Sequence, residues 1–399
     1  MMFLSPDKQM KIISRNVEEI IPEKELLKKL EKSCKNNSPL IVKLGCDPSR
    51  PDLHIGHSVV LRKLRQFQDL GHTAVLVIGD FTAMIGDPSG RNKTRPQLTK
   101  QETSYNASSY VDQAASILNI DKLKIVYNTH WLSKMNFDEV VKLASKYTVA
   151  RMLERDDFTK RFKSEVPISI HEFLYPLAQG MDSVELKADI ELGGTDQKFN
   201  LLVGRDLQRE YGQSPQVIIT NPILEGTDGI EKMSKSYNNH IALNDSPEEM
   251  YGKTMSIPDT LIEKYYLLAA DSDEIVINKV RKELKNTNPR DLKRRLARKI
   301  IEKYYDKNHS IEAEKQFDHI FIKKEIPDDI PECSIKTETL LVEILFKQEL
   351  IKSMTEGRRL IKQNAVKING DICHDIHTKI KPGKDYTVKV GKRRFLKIV

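Results

Sequence analysis

Five short apolar runs in the first half of the chain are of strand length, and each is bounded by Gly, Asp, Asn or Pro. They lie at residues 40–44, 74–78, 124–127, 188–192 and 216–220. Between the first two, Val60, Leu64 and Phe67 recur at helical spacing within residues 55–70, and Gly71 predicts the helix end. A strand, a helix and a strand in succession predict a parallel crossover unit. We therefore predict an α/β fold with a doubly wound, Rossmann-like parallel sheet that binds ligands at the carboxyl ends of its strands.

The pattern changes after Pro222, where helical signals replace strands. Residues from 250 to about 321 predict an α-helical domain, with Pro289 and Asp291 at the start of one helix. Residues 326–331 contain two prolines and two acidic residues, which predict a linker. We expect a Rossmann-like catalytic domain at 1–225, a loop region at 226–245, a helical domain at 246–325, a linker at 326–334 and a small α+β domain at 335–399.

The positive charge of the chain is concentrated at one end. The chain has 65 Lys and Arg against 57 Asp and Glu, which gives a net charge of +8. Residues 335–399 contain 15 of the basic and 7 of the acidic side chains, so this segment accounts for the whole surplus. Clustered positive charge is typical of a polyanion-binding module, and a solvated Lys-rich surface is the alternative at this point.

Composition excludes several other classes of protein. Hydrophobic residues make up 39% of the chain, which excludes an intrinsically disordered protein. Its four cysteines form no CxxC pair, so we expect neither a disulfide framework nor a protein-bound structural metal. The first residues lack the apolar core of a signal peptide, and no apolar run reaches the roughly 18 residues of a membrane span. We expect a cytoplasmic protein without a membrane segment.

The loop after the first predicted strand leads into the first helix and contains two histidines. His54 and His57 lie at the helix start with Gly56 between them. The amides of a helix N-terminus favour an anion, Gly permits close approach of a ligand, and imidazoles donate hydrogen bonds to phosphate oxygens. This spacing predicts a phosphate site, and a pair of capping or core histidines is the alternative.

The loop after the second predicted strand extends from Gly79 to Arg95. It lacks the Gly-Lys-Thr order of a P-loop. Asp87 suits an ammonium group, and Arg91 and Arg95 suit phosphates. An ordinary Asp-Pro-Ser-Gly turn is the alternative.

A third polar loop contains Lys232, Met233, Ser234, Lys235 and Ser236. Two lysines three residues apart beside small hydroxyl residues form the kind of cationic clamp that neutralises a leaving pyrophosphate. A solvated charged loop is the alternative when this segment is considered alone.

The two segments His-Ile-Gly-His and Lys-Met-Ser-Lys-Ser occur together and in this order, and with them the chain resembles the class I aminoacyl-tRNA synthetases. The resemblance implies ATP-dependent adenylation of an amino acid, with Mg²⁺ accompanying the ATP, and transfer to the terminal ribose of tRNA. It implies a catalytic set of His54, His57, Arg91, Arg95, Lys232 and Lys235. It implies an ATP-binding set of Gly45, Asp47, Ser49, His54, Gly56, His57, Gly194, Asp196, Lys235 and Ser236.

A predicted helix places Tyr175, Gln179 and Asp182 on one face, because they occupy positions i, i+4 and i+7. This set makes a poor apolar core and a good lining for a polar aromatic ligand, although a surface acid in a salt bridge is the alternative for Asp182. The stretch resembles the tyrosyl-tRNA synthetases. The resemblance implies that Asp182 accepts the phenol proton of L-tyrosine, that Tyr175, Gln179 and Asp87 surround its ammonium group, and that Gln197 lies beside it.

One position departs from that family. Many tyrosyl enzymes have a Tyr two residues before Gly45, where it adds a second hydrogen bond to the phenol, and this chain has Lys43. A bacterial subgroup resembles this chain in its Lys-Leu-Gly arrangement, and we place the chain there. The second partner of the phenol stays open.

Residues 353–371 resemble a small RNA-binding fold of a ribosomal protein. A predicted helix presents Arg358, Arg359 and Lys362, and a strand presents Lys367, so we expect this module to bind the phosphates of tRNA(Tyr). The family further implies a homodimer. Two alternatives are a tryptophanyl-tRNA synthetase and a non-catalytic RNA-binding or splicing factor that has kept a synthetase body.

Overall fold

The computed structural model describes residues 3–48, 52–87, 99–321, 330–335, 337–391 and 394–399. The chain divides into two compact units, Met1–Ser310 and Ile311–Val399. None of the helices within the described ranges is long and apolar enough to cross a membrane.

A parallel sheet forms the centre of the first unit. Among the described residues it has six strands, which are β1 (Glu19–Ile21), β2 (Ile41–Cys46), β3 (Thr73–Ile78), β4 (Leu123–Tyr127), β5 (Ile190–Gly194) and β6 (Val217–Asn221). Their order across the sheet is β1-β6-β5-β2-β3-β4, with β2 to β6 parallel and β1 antiparallel to β6. All five predicted strands are present as β2 to β6, and the predicted doubly wound α/β fold is confirmed.

The edge strand β1 was not predicted from the sequence. It has three residues, and Ile20 pairs with Ile219 of β6. A strand of three residues is too short to show an alternating hydrophobic pattern in the sequence. Its pairing with the distant strand β6 holds it in the sheet.

Eleven α-helices occur in the described residues up to Glu210. They are α1 (Pro6–Ile13), α2 (Glu23–Asn36), α3 (Ile55–Asp69), α4 (Thr82–Ile85), α5 (Lys100–Ala114), α6 (Thr129–Leu132), α7 (Phe137–Ala144), α8 (Val149–Met152), α9 (Asp156–Lys163), α10 (Ile170–Leu186) and α11 (Lys198–Glu210). Of these, α2, α3, α10 and α11 pack against strands of the sheet. The predicted first helix is α3, in which Leu64 and Phe67 are fully buried.

Strands β2 and β5 are neighbours in the sheet although they are distant in sequence. The chain runs from β2 outward to β3 and β4, and from β5 outward to β6, so the order reverses between β2 and β5. A ligand crevice forms at such a switch point, outside the carboxyl ends of the strands. Those ends are Gly45–Cys46 and Gly193–Gly194.

Helices dominate residues 246–321. They are α12 (Pro247–Met255), α13 (Ile262–Leu268), α14 (Glu274–Glu283), α15 (Pro289–Tyr304) and α16 (Lys307–Phe321). The predicted helix start at Pro289 is observed, and the side chain of Asn288 caps it by accepting a hydrogen bond from the amide of Arg290.

The second unit is a small α+β fold. Its described strands are β7 (Glu332–Cys333), β8 (Thr339–Leu340), β9 (Val366–Ile368), β10 (Asp371–Ile372), β11 (Lys379–Ile380), β12 (Tyr386–Val390) and β13 (Arg394–Ile398), and its helices are α17 (Leu341–Lys347) and α18 (Met354–Lys362). Buried side chains such as Leu345, Ile361 and Val388 form its own core. The predicted linker at 326–334 lies partly outside the described residues, and its final part contains β7, which pairs with β13.

Candidate active site

A cavity of about 320 Å³ opens at the carboxyl ends of β2 and β5, where the switch point predicts it. Three site residues predicted from the sequence, Ser49, Arg91 and Arg95, lie outside the described residues. The structure brings the other predicted residues of the first unit together around the cavity. They are Gly45, Asp47, His54, Gly56, His57, Asp87, Tyr175, Gln179, Asp182, Gly194, Asp196, Gln197, Lys232, Lys235 and Ser236.

His54 and His57 form a stacked pair at the start of α3, with ring centroids 3.7 Å apart. The amide of His54 donates to Nδ1 of His57 at 3.2 Å. A neutral His57 therefore carries its proton on Nε2, which leaves that atom as a donor. Nδ1 of His54 is buried and has no hydrogen-bond partner among the described residues.

Both histidines are neutral at pH 7. Burial lowers the pKa of His57 to about 4, and the nearby ammonium of Lys232 adds to this effect. Burial, followed by His57 and His240, lowers the pKa of His54 well below its ordinary value. Neutral imidazoles can donate to phosphate oxygens without a change in their charge.

The two lysines of the third polar loop are each held by a carboxylate. Lys232 Nζ lies 2.8 Å from Asp196 Oδ2, and Lys235 Nζ forms an ion pair with Asp52. Asp52 lies two residues before His54, where the first signature begins. A backbone bridge also joins His54 to Ala242, which follows the third polar loop. Both lysines are partly exposed, so they can exchange these carboxylates for a phosphate.

Asp47, after β2, is fixed by two hydroxyl groups. Tyr175 OH donates to its Oδ2 and Thr82 Oγ1 donates to its Oδ1, each at 2.8 Å. A side chain at Gly79 would overlap both Asp47 and Thr82, so glycine is required there for close approach.

Gln197 connects two loops of the site. Its Nε2 donates to Asp87 Oδ2 at 2.9 Å, and its Oε1 accepts from Asn200 Nδ2 at 3.1 Å. Asp87 is buried, with 9% of its surface exposed. A buried carboxylate beside the cavity is suited to an ammonium group.

Asp182 lies in α10 and is 2% exposed. Trp131 Nε1 donates to its Oδ1 at 3.0 Å, and Asn128 Nδ2 lies 3.4 Å from its Oδ2. Burial raises the pKa of Asp182 from 3.8 to about 7, and the charge of Lys43 opposes this rise. The carboxyl group is therefore a hydrogen-bond acceptor whose charge changes near neutral pH.

Lys43 forms a fully buried ion pair below the cavity. Its Nζ lies 3.1 Å from Glu191 Oε1 and 3.4 Å from the carbonyl oxygen of Gln179. Lys43 is 0% exposed and Glu191 is 1% exposed.

Sequence reasoning missed several residues that hold the site. They are Asp52, Thr82, Asn128, Trp131 and Glu191. Asn128 follows β4 directly, so its position after a strand was a usable signal. Nothing in the sequence pairs the other four with their partners.

The cavity favours non-covalent chemistry. Burial, with a smaller effect of Asp47, raises the pKa of the Cys46 thiol to about 12, so this group stays protonated. No cluster of three or more His, Cys, Asp or Glu side chains suited to a metal ion occurs among the described residues.

The predicted RNA-binding residues lie in the second unit. Arg358, Arg359 and Lys362 lie on α18 and Lys367 lies on β9, and all four are exposed. The turn after β9 has positive φ at Asn369 and Gly370.

The fold and both signatures define a class I aminoacyl-tRNA synthetase, and sequence comparison agrees. The pattern of the tRNA synthetases class I (W and Y) matches residues 35–322. That of the tyrosine–tRNA ligase SYY-like C-terminal domain matches residues 322–397. The chain belongs to the tyrosine–tRNA ligase family.

Relatives support this assignment over the full length. The chain is 56% identical to the tyrosine–tRNA ligase of Carboxydothermus hydrogenoformans, over 98% of each chain. It is 54% identical to that of Chlorobaculum tepidum, over 100% of this chain and 98% of the relative. A solved tyrosyl-tRNA synthetase of Archaeoglobus fulgidus, complexed with L-tyrosine, shares the fold with a TM-score of 0.62 at 24% identity, over 78% of this chain and 100% of the other.

Proposed function

We propose that the cavity activates L-tyrosine with ATP and that the resulting tyrosyl group passes to tRNA(Tyr). The tyrosine carboxylate attacks the α-phosphorus of ATP, which forms the adenylate and releases pyrophosphate. A ribose hydroxyl at the 3′ end of the tRNA then attacks the activated carbonyl and releases AMP. The observation that carries the proposal is the buried carboxylate of Asp182 in the same cavity as the two signatures.

The amino-acid end of the site is formed by α10 and the loop after β3. Asp182 accepts the phenol hydroxyl, while Tyr175, Gln179 and Asp87 receive the ammonium group and Gln197 lies beside the substrate. The support is their common lining of the cavity, together with Oε1 of Gln179, which is buried and has no partner among the described residues. Phenylalanine lacks the hydroxyl, so Asp182 keeps only its bonds from Trp131 and Asn128 and loses the one from the substrate, which disfavours phenylalanine.

The ATP end lies at the switch point of the sheet. Gly45, Asp47 and Gly56 approach the nucleotide closely, and Gly194 and Asp196 lie by its ribose. His54 and His57 donate to its phosphates as neutral imidazoles. Lys232, Lys235, Arg91 and Arg95 stabilise the departing pyrophosphate. Ser49 donates to the outer phosphates, and Ser236 binds ATP. Catalysis then consists of positioning and charge stabilisation.

We assign Mg²⁺ to the nucleotide. Mg²⁺ is commonly held by substrate phosphates together with one or two carboxylates. The described residues offer no cluster of side chains that would hold the ion in the absence of the phosphates. When bound, the ion neutralises phosphate charge.

The second unit binds the tRNA through its phosphates. Arg358, Arg359 and Lys362 form an exposed basic face on α18, and Lys367 extends it to the adjoining strand. Phosphate contacts fix the position of an RNA without reading its bases, so this binding weakens steeply with salt.

The active form is a homodimer. Between the start of α7 and the start of α10, Phe137, Phe162 and Ile170 are 83%, 65% and 81% exposed. A second copy of the chain is the partner we assign to these side chains. Light scattering should give twice the 45.9 kDa chain mass, and a Phe137→Glu, Ile170→Glu variant should give the single mass. A wild-type monomer would contradict the assignment.

Amino-acid-dependent ATP–pyrophosphate exchange tests the proposal. Exchange should occur with tyrosine and be lower by orders of magnitude with tryptophan and phenylalanine. Preference for tryptophan would favour the tryptophanyl alternative. No exchange with any amino acid, together with tight RNA binding, would favour a non-catalytic RNA-binding factor.

A further inference from the structure

The buried ion pair of Lys43 and Glu191 has no place in the reaction described above. It joins β2 to β5 at an N–O distance of 3.1 Å, and neither residue lines the cavity. A buried ion pair adds little to stability, since the loss of hydration offsets the attraction. Its position directly behind the amino-acid end of the site therefore calls for another explanation.

Gln216, just before β6, donates through Nε2 to Glu191 Oε2, and the other hydrogen bonds of the pair go to helix α10 on both sides of Asp182. Lys43 donates to the carbonyl oxygen of Gln179 at 3.4 Å, and Gln179 Nε2 lies 3.3 Å from Glu191 Oε1. Ser183 Oγ donates to Glu191 Oε2 at 3.1 Å. The pair thus holds Gln179, three residues before Asp182, and Ser183, directly after it.

The pair also acts on Asp182 through its charges. Lys43 from β2 lowers the pKa of this carboxyl, and Glu191 from β5 raises it by less, while burial raises it most. The elements facing Asp182 from the other side contribute the neutral donors Asn128 and Trp131.

Further carboxylates line the same cavity. They are Asp47, Asp52, Asp87 and Asp196, and its other titratable lining groups are Cys46, His54, His57, Tyr110, Tyr175, Lys232 and Lys235. None of these is among the groups that shift the pKa of Asp182.

We propose that Lys43 and Glu191 are positioning residues for tyrosine recognition, which fix Gln179 and Asp182 from behind and set the charge that Asp182 presents to the phenol. Lys43 occupies the position where the family resemblance implies, for many tyrosyl enzymes, a tyrosine that contacts the phenol. In this chain it acts through Asp182 instead. The inference rests on the proposed binding of tyrosine in this cavity.

The pH dependence of tyrosine binding tests this role. The phenol hydroxyl donates to a carboxylate better than to a carboxylic acid, so affinity should rise with pH until Asp182 is ionised, with a half-point near pH 7. Trp131 donates to Asp182 and is the single tryptophan of the chain, so its fluorescence should report the same ionisation in the absence of tyrosine.

Two variants should move this half-point in opposite directions. Lys43→Met removes the positive charge, so the half-point should move to higher pH. Tyrosine affinity at pH 7 should fall by about tenfold for each unit of displacement, and the difference from the wild type should close as pH rises. Glu191→Gln should move it to lower pH. Lys29→Met breaks the ion pair with Asp189, outside the cavity, and should leave the half-point in place.

A third variant keeps the test decisive if a single substitution prevents folding. Lys43→Met combined with Glu191→Gln removes both charges and leaves no unpaired buried ion. Lys43 has a larger effect on the pKa of Asp182 than Glu191 has, so this double variant should still show a half-point above that of the wild type. Half-points that coincide in all folded variants would overturn the inference. Wild-type protein that does not bind tyrosine at pH 8 would instead overturn the proposed function.

Discussion

Replacement of Asp182 by Asn should stabilise the protein at alkaline pH while it weakens tyrosine recognition. Burial raises the pKa of this carboxyl in the folded state from 3.8 to about 7. The folded state therefore holds the proton more tightly than the unfolded state, and ionisation costs stability as pH rises from about 4 to 7. At about 1.4 kcal/mol for each unit, the full cost above pH 7 is about 4 kcal/mol.

The asparagine removes this cost and loses one hydrogen bond. Its single oxygen accepts from either Trp131 or Asn128, and its amide then faces the other donor, which costs about 1 to 3 kcal/mol. This cost is the same at every pH. The gain in unfolding free energy should therefore be about 2 to 3 kcal/mol larger at pH 8 than at pH 5, because the carboxyl of the wild type is protonated in the folded state at pH 5.

Urea unfolding at the two pH values measures this difference, and the fluorescence of Trp131 reports on the first unit. The matched control is Asp138→Asn on α7, where the carboxylate is 71% exposed and the effect should stay within about 0.5 kcal/mol at both pH values. Equal stability changes at pH 5 and pH 8 for Asp182→Asn would refute the reasoning. Tyrosine activation should fall by about 10- to 150-fold, as expected for a hydrogen bond to a charged group.

Three further substitutions test separate parts of the site. Lys235→Ala should slow single-turnover adenylate formation by about 100- to 1000-fold with little change in tyrosine affinity. Lys134→Ala, which replaces an exposed lysine outside the cavity, should change neither quantity. An unchanged rate for Lys235→Ala would exclude a role of this lysine in stabilising the leaving pyrophosphate. Gly79→Ala should abolish ATP-dependent exchange because its methyl group displaces Asp47, and full activity would show that Asp47 is dispensable. Arg359→Ala should lower the slope of log affinity for tRNA against log salt by about 0.7 to 0.9, and an unchanged slope would remove it from the RNA interface.

The sheet was predictable because buried parallel strands appear as short continuous apolar runs. Residues 216–220 correspond to β6 (Val217–Asn221) within one residue at each end. The face of α10 was predictable for a similar reason, since Tyr175, Gln179 and Asp182 follow the helical period and all line the cavity. The signatures could be located because each is a contiguous run, residues 54–57 and 232–236, that is recognised without any contact between distant residues.

Contacts between distant segments could not be predicted from periodicity. The bond from Trp131 to Asp182 joins residues 51 positions apart, and the ion pair of Lys235 with Asp52 spans 183 positions. Lys43 illustrates the limit most clearly. In the sequence it is a charged residue inside an apolar strand, and only its contact with Glu191 explains how its charge is accommodated.

The transfer of tyrosine to tRNA(Tyr) tests the central claim most directly. Purified protein, ATP, Mg²⁺ and labelled amino acid should yield acid-precipitable tyrosyl-tRNA, with charging in proportion to enzyme. Tryptophan and phenylalanine should give none above background. Charging with tryptophan, or pyrophosphate exchange with tyrosine but no transfer to tRNA(Tyr), would contradict the account.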